Sequence, residues 1–359
     1  MTATSMDLWG PFLVAFAISL AVTPFAIWAA PKIGAMDIPK DERRVHCKAM
    51  PRFGGIAIYL GSAIAMVIFI GDKTGIPGAL VGCTLIYILG LIDDLRELKA
   101  VYKLAGQIVC ASAAFAFGLR IHFITNYFGG GNMMFGDVFC YIVTVVWLVS
   151  ITNALNLIDG LDGLAAGVAA ISALCIGYVA YIHGQYVPTI AMMIIAGAAL
   201  GFLPYNFHPA KIFMGDSGSE LLGFAIAAFS ILGTVKSATI VVMIIPALVL
   251  GLPIFDTVFA IIRRVIRRQP IGVGDKEHLH HRIMRAGFGQ RRAVMLLYCI
   301  SGIMGIVATL YSRGNQMVET LGLSAVAIML VYVLLSDTGN RNISLKAQKI
   351  RDRKEEKNK

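Results

Sequence analysis

Long apolar runs separated by short polar segments constrain this chain more than any local motif does. About 20 apolar residues in helical form cross the roughly 30 Å hydrocarbon layer of a bilayer. Such runs fall at 8–30, 54–71, 77–92, 104–119, 138–152, 163–183, 188–205, 218–235, 240–262, 293–312 and 320–335. The fold expected is an all-α, polytopic membrane helix bundle of about eleven transmembrane helices. Composition agrees, with 57% hydrophobic and 14% charged residues, where a soluble domain carries about a quarter charged. The first run has no basic leader and is long enough to span, so it reads as a retained helix and not a cleaved signal. Several runs are shorter than an upright span, and their polar ends need shelter from neighbours or headgroups.

The basic residues orient the bundle. With the N-terminus outside, the inside segments are 31–53, 93–103, 153–162, 206–217, 263–292 and 336–359. They hold 27 of the 31 Lys and Arg, leaving Lys73, Arg120, Lys236 and Arg313 on the other face. Positive residues collect on the cytoplasmic side, so the chain is predicted N-out and C-in. Residues 1–335 read as a single transmembrane catalytic domain and 336–359 as a basic cytoplasmic tail near anionic lipid. The net charge of +10 then belongs to topology and makes no case for nucleic acid. The six cysteines, at 47, 83, 110, 140, 175 and 299, show no paired spacing and read as packing residues.

The polar clusters fall in the inside segments. Between two apolar runs, Asn153, Asn156, Asp159 and Asp162 recur at every third position. On a helix they fan over about half a face, and a 3₁₀ turn aligns them more closely. Either way one surface would carry two amides and two carboxylates, where a helix cap needs one such residue. In Gly90-Leu-Ile-Asp93-Asp94, adjacent carboxylates end the third run. Like charges this close suggest a divalent cation or a raised pKa; a solvated helix end is the plain alternative. In the segment from Asn206 to Ser219, Gly215 and Gly218 bracket Asp216 and Ser217. A tight turn there would aim backbone N–H groups at a phosphate, with Asp216 a hard ligand for Mg²⁺; an N-cap with a glycine turn is the alternative. Asp275 to Gly287 suits a short helix with His278, His281, Arg282 and Arg285 on one side, fit for a phosphate, a Zn²⁺ site or a plain basic surface helix. His46, Lys48 and Arg52 add cationic donors. Asp256, within the ninth run, is a costly intramembrane carboxylate and by default functional.

Carboxylates suited to a divalent metal, phosphate-compatible turns and His/Arg donors on one membrane face describe phosphoryl transfer to or from a lipid. A transporter for a lipid-linked anion is the alternative of another class. Transporters place polar residues near the midplane, whereas here all but Asp256 lie at one end.

Together, Pro51-Arg-Phe-Gly54-Gly55, Gly90-Leu-Ile-Asp93-Asp94, the segment Asn153 to Gly163, Asn206 through Phe213-Met-Gly-Asp216-Ser-Gly, and His278-Leu-His280-His281-Arg282 resemble the polyprenyl-phosphate N-acetylhexosamine-1-phosphate transferases. The five motifs run in the family's order from about residue 31 to 292. Leu279 interrupts the three consecutive histidines usual in the branch that transfers phospho-N-acetylmuramoyl-pentapeptide, so the chain looks like the N-acetylglucosamine branch, with the pentapeptide reaction as the alternative. The resemblance implies a Mg²⁺-dependent phosphotransferase, with Mn²⁺ as a substitute, in the bacterial plasma membrane with its site on the cytoplasmic face. It implies UDP-N-acetylglucosamine as donor and undecaprenyl phosphate as acceptor entering from the lipid bilayer, and it leaves room for a homodimer. By the same resemblance Asp93, Asp94, Asp216, His278, His280 and His281 are catalytic, with Asp216 and Asp94 at the metal. Asp93 deprotonates or engages the lipid phosphate, and a covalent phospho-aspartate stays open. Asn153, Asn156, Asp159, Asp162, Asn206, Phe213 (stacking on uracil), Arg282, Lys48 and Arg52 bind substrate. Family members are commonly described with ten helices, one fewer than counted here.

Overall fold

The structure is a computed structural model, described over residues 6–37, 49–70, 76–125, 132–234 and 289–311. Met1–Thr309 forms one compact unit and contains the helices and ribbons of the bundle; Leu310–Lys359 forms a second, described only at Leu310 and Tyr311, which close the last helix. The described residues are mostly helical: α1 (Met6–Ile33), α2 (Gly55–Phe69), α3 (Pro77–Arg96), α4 (Ala100–Ala116), α5 (Asp137–Ile158), α6 (Leu164–Ile182), α7 (Tyr186–Asn206), α8 (Gly215–Thr234) and α9 (Gln290–Tyr311). Among the described residues six segments are long and apolar enough to cross a membrane: Leu8–Ile33, Pro77–Arg96, Asp137–Ile158, Leu164–Ile182, Tyr186–Asn206 and Gln290–Leu310; α2 and α4 are shorter apolar helices. This is a multi-pass membrane protein. The expected spans at 240–262 and 320–335 and the tail at 336–359 lie outside the described residues.

The fold is mostly helical, as expected, with one addition. Two short antiparallel ribbons accompany the helices: β1 (Met36–Asp37) with β2 (Met50–Pro51), and β3 (Phe123–Thr125) with β4 (Asn132–Met134). They escape a hydropathy reading because two or three residues show no alternation.

Several helices also run past their predicted ends, three of them at the polar clusters. The helix expected to stop at 92 continues to Arg96 and carries Asp93 and Asp94 in its last turns. α5 continues to Ile158, so Asn153 and Asn156 are helical rather than in a loop, and α8 already starts at Gly215. Hydropathy marks where apolar side chains stop, but helical hydrogen bonds persist through polar residues that find partners in neighbouring helices.

α8 occupies the middle of the bundle, packed against α2, α3, α5, α6 and α7 and buried on all sides from Ser217 to Ile231. A helix that is apolar all round belongs in an interior, and Phe224 and Phe229 fill its surroundings. Glycines let its neighbours come close. A Cβ at Gly82 of α3 would meet the Phe224 ring at 2.4 Å, and one at Gly55 of α2 would meet the Ser217 hydroxyl at 2.4 Å. On the far side, Gly197 and Gly201 of α7 face the backbone carbonyls of Phe12 and Phe16 in α1, the close helix approach that small residues permit in membranes. Among the described residues the cysteines at 83, 110, 140, 175 and 299 are free, as expected; Cys47 lies outside them.

Candidate active site

The residues leading into α8 are fixed by backbone hydrogen bonds to the segment before α2. Gly54 N donates to Phe213 O at 3.0 Å, Gly55 N to Met214 O at 2.8 Å and Phe213 N to Pro51 O at 2.8 Å. Arg52 and Phe213 are thereby bridged side by side. Gly215, at φ +74°, turns the chain into the helix, a conformation that glycine adopts without strain. The free N–H groups of Asp216 and Ser217 then point toward α3. They meet the Asp94 carboxylate: Asp216 N to Oδ1 at 2.7 Å, Ser217 N to Oδ2 at 3.0 Å and Ser217 Oγ to Oδ2 at 2.6 Å. The expectation that this turn offers its N–H groups to a substrate phosphate is therefore corrected. A carboxylate of the protein's own caps the helix, with the favourable charge for an N-terminus.

Asp94 is fully enclosed. Its side chain is 0% exposed and also receives Arg52 Nε at 3.0 Å, so every acceptor position it has faces a protein donor. Asp216 is the more accessible of the two, at 17%. One of its oxygens is hydrogen-bonded to Arg52 Nη2; the other accepts from Asn156 Nδ2 at 2.6 Å and Lys103 Nζ at 3.0 Å. Asn156 is held in turn by the Ser219 hydroxyl at 2.9 Å. Asp93 points the other way: Oδ1 accepts Leu98 N at 2.6 Å and fixes the turn into α4, while Oδ2 pairs with Lys103 at 3.0 Å. Lys103 also reaches Glu220 Oε1 at 3.1 Å.

The four residues at every third position do not share one surface. α5 ends at Ile158, and Gly163 at φ +81° turns the chain before α6, so the three-residue spacing never becomes one helical face. Asn153 turns toward α4 and donates to Gln107 Oε1 at 2.6 Å; Asn156 faces Asp216. The enclosed Asp162 carboxylate instead accepts His208 Nδ1 at 2.8 Å and Ala210 N at 3.1 Å. Asn206 ties the same two loops, accepting Gly163 N at 3.1 Å and donating to Ile212 O at 2.9 Å. From α9, Tyr298 donates to Gly163 O at 2.5 Å and Arg291 Nε to His208 O at 3.0 Å. Asp159 sits in the loop between α5 and α6. Burial first, and then the nearby Asp216 charge, push its carboxyl up to about 7 against the pull of Arg52.

Among the described residues, Asp93, Asp94, Asp159, Asp216 and Glu220 thus converge on two cations, Arg52 and Lys103. The surplus of negative charge and of hard oxygen donors suits a divalent cation such as Mg²⁺. Among the described residues no three carboxylates, histidines or cysteines are gathered into a ready-made cage. An ion here would take one or two protein ligands and complete its shell with phosphate and water oxygens, as Mg²⁺ does with nucleotides.

In the sequence Lys103 and Arg291 read only as topological charges and Ser217 only as part of a turn, and nothing singles out Gln107, His208, Ser219 or Tyr298. Glu220, also passed over, had a signal, because it stands inside the run 218–235 and is as costly there as the Asp256 that was singled out. Lys48, Asp256, His278, His280, His281 and Arg282 lie outside the described residues.

Comparisons with known proteins bear on the same region. The family model of glycosyl transferase family 4 matches residues 76–234, which contain every carboxylate of the cluster. The chain is 40% identical over 299 residues to the probable undecaprenyl-phosphate N-acetylglucosaminyl 1-phosphate transferase of Bacillus subtilis, covering 83% of each chain. It is 37% identical over 355 residues to the decaprenyl-phosphate N-acetylglucosaminephosphotransferase of Mycolicibacterium smegmatis (90% of this chain, 87% of the other). With the undecaprenyl-phosphate alpha-N-acetylglucosaminyl 1-phosphate transferase of Escherichia coli it shares 29% identity over 321 residues (87% and 84%). Likeness of this extent goes well beyond the motifs, and the chain belongs to glycosyl transferase family 4.

Proposed function

We propose that this enzyme transfers N-acetylglucosamine-1-phosphate from UDP-N-acetylglucosamine to undecaprenyl phosphate, releasing UMP and beginning a lipid-linked cell-envelope glycan. The observation that carries the reading is Asp216. The carboxylate is partly exposed at the start of α8, oriented by Arg52, Lys103 and Asn156, in a chain 40% identical to a relative named for this transfer. An oxygen of the lipid phosphate forms a bond to the donor's β-phosphorus while the bond from that phosphorus to the bridging oxygen breaks, and UMP leaves with that oxygen.

Asp216 would hold Mg²⁺, with Asp159 near it; the ion would supply charge neutralisation at the diphosphate. Asp94 keeps the α8 N-terminus, and with it Asp216, in one position. Arg52 and Lys103 supply fixed positive charge where the phosphoryl group passes, the usual protein contribution to such transfers. Asp93 takes or holds the acceptor's proton. Asp162 and Asn206 fix the two loops that would receive the nucleotide, and Phe213 would stack on its base. His278, His280, His281 and Arg282 add donors to the diphosphate. The site belongs to the cytoplasmic face of an N-out bundle in this reading, which the basic residues of the inside segments support.

The test is UMP release by purified protein in detergent with undecaprenyl phosphate, Mg²⁺ and UDP-N-acetylglucosamine, with EDTA as control. Release abolished by EDTA and by Asp216→Asn is expected. Turnover of UDP-N-acetylmuramoyl-pentapeptide in its place would move the donor assignment, and faster turnover of decaprenyl than undecaprenyl phosphate would move the acceptor. Mg²⁺-dependent release unchanged in Asp216→Asn would overturn the metal assignment.

A further inference from the structure

Glu220 lies directly beneath this cluster, one helical turn from Asp216 on α8, and is 0% exposed. A carboxylate so buried is retained only against a partner, and its partner is Lys103, 3.1 Å from Oε1. The ammonium group has three N–H bonds, and three carboxylates stand within 3.0–3.1 Å of it: Asp93, Asp216 and Glu220. Of the three, Asp216 is the most accessible, at 17%; Asp93 is 7% exposed and Glu220 fully enclosed. Behind Glu220 the packing is polar and directional. Gln107 Nε2 donates to the same Oε1 at 2.8 Å, and Gln107 Oε1 accepts from Asn153 Nδ2 at 2.6 Å. Asn153 Nδ2 is also tied to Val149 O at 2.9 Å. The chain Asn153, Gln107, Glu220, Lys103 therefore runs from the body of α5 through α4 and α8 to the ammonium group. Among the described residues Glu220 Oε2 has no hydrogen-bond partner, and the carboxylate's contacts are to Lys103 and Gln107.

We propose that Glu220 is a positioning residue, held by Gln107 and Asn153, that anchors the Lys103 ammonium below the site so that Asp216 stays available to the cation and diphosphate. The inference rests on the transfer reaction proposed above. Without the anchor, the carboxylates left to Lys103 among the described residues are Asp93 and Asp216, beside the Asn156 amide oxygen at 3.4 Å. Lys103 then competes for Asp216 with the cation the reaction needs. Asn153, in this arrangement, acts through Gln107 and not on substrate.

The experiment measures Mg²⁺ dependence of UMP release for wild type, Glu220→Gln, Lys103→Arg and the double variant, with melting temperatures alongside. Glutamine keeps size and a hydrogen bond while removing the charge. The expected result for Glu220→Gln is a Mg²⁺ concentration for half-maximal rate raised about fivefold or more, with the donor KM within about twofold of wild type. In the Lys103→Arg background the same substitution shifts the Mg²⁺ requirement less than about twofold, because the residue it acts through is already altered. If Lys103→Arg is too slow to assay, the cycle is read as melting temperature, where non-additive shifts of the two substitutions are expected. An unchanged Mg²⁺ requirement in Glu220→Gln, or equal shifts in both backgrounds, overturns the proposal while leaving the reaction intact. Failure of wild type itself to release UMP overturns the reaction instead.

Discussion

Gly90→Ala adds one methyl group at the tightest point of the site's scaffold. That Cβ would lie 2.6 Å from both Cα and N of Ser217 and 2.8 Å from the carbonyl carbon of Asp216. These are backbone atoms that no rotamer change moves aside, and carbon contacts need about 3.5 Å. The two helices must therefore part by about 1 Å at this point. Gly90 is one turn from Asp94 on the same face of α3, so the carboxylate moves with it. Its hydrogen bonds of 2.6, 2.7 and 3.0 Å to Ser217 Oγ, Asp216 N and Ser217 N then stretch to about 3.6–4.0 Å, past the useful range. A misplacement of about 1 Å at a reacting centre costs about 10²-fold in rate, and overpacking costs about 1–3 kcal/mol in stability. UMP release in detergent should fall about 10²-fold, with a lower melting temperature. Gly302→Ala, whose added Cβ would meet nothing within 4 Å, serves as control and should match wild type in both. Turnover of Gly90→Ala within about threefold of wild type would refute the argument that α3 and α8 fix the site through backbone contact.

Arg52→Lys should lower kcat/KM by about tenfold or more, because one guanidinium spans Asp94 and Asp216 and a lysine point charge cannot serve both; wild-type turnover would show the span to be dispensable. Asp159 gives a pH dependence. With its carboxyl raised from an ordinary 3.8 to about 7, the folded, cation-free protein holds a proton that the unfolded chain has released. Stability therefore falls as pH rises from about 4 to about 7. Melting temperatures in EDTA should show that slope, and Asp159→Asn should flatten it; an unchanged slope in the variant would assign it elsewhere. Tyr298→Phe removes the 2.5 Å bond to Gly163 O, a loss of about 1 kcal/mol. The donor KM should rise severalfold with kcat little changed, and an unchanged KM would separate α9 from nucleotide binding.

Much of this architecture is legible in the residues alone. The first eight apolar runs and the tenth each correspond to a helix, because burial of apolar length is what hydropathy measures. The acidic pair and Asp216 stand out because neighbouring carboxylates at a membrane edge are costly and so require a reason. Direction is not legible. Asp93 and Asp94 are adjacent in sequence yet face different partners, one serving the turn to α4 and the other the start of α8. A spacing of three predicts a shared face for Asn153, Asn156, Asp159 and Asp162, but the helix ends between the second and third of them, and only packing decides where. Lys103 looks like any other positive residue of an inside segment, since nothing local reveals three carboxylates brought from α3 and α8.

The Asp94 cap joins residues 122 and 123 positions apart in the chain. At synthesis rates of about 5–20 residues per second, α3 emerges from the ribosome about 6–25 s before the helix start it completes. During that interval Asp94 has neither the N–H groups of residues 216 and 217 nor the central helix around which the bundle closes. A nascent chain stopped anywhere short of α8 carries an acidic pair at a membrane boundary and no catalytic centre. Turnover therefore begins only once the core helix has threaded into place, and activity in the membrane is itself a readout of completed insertion.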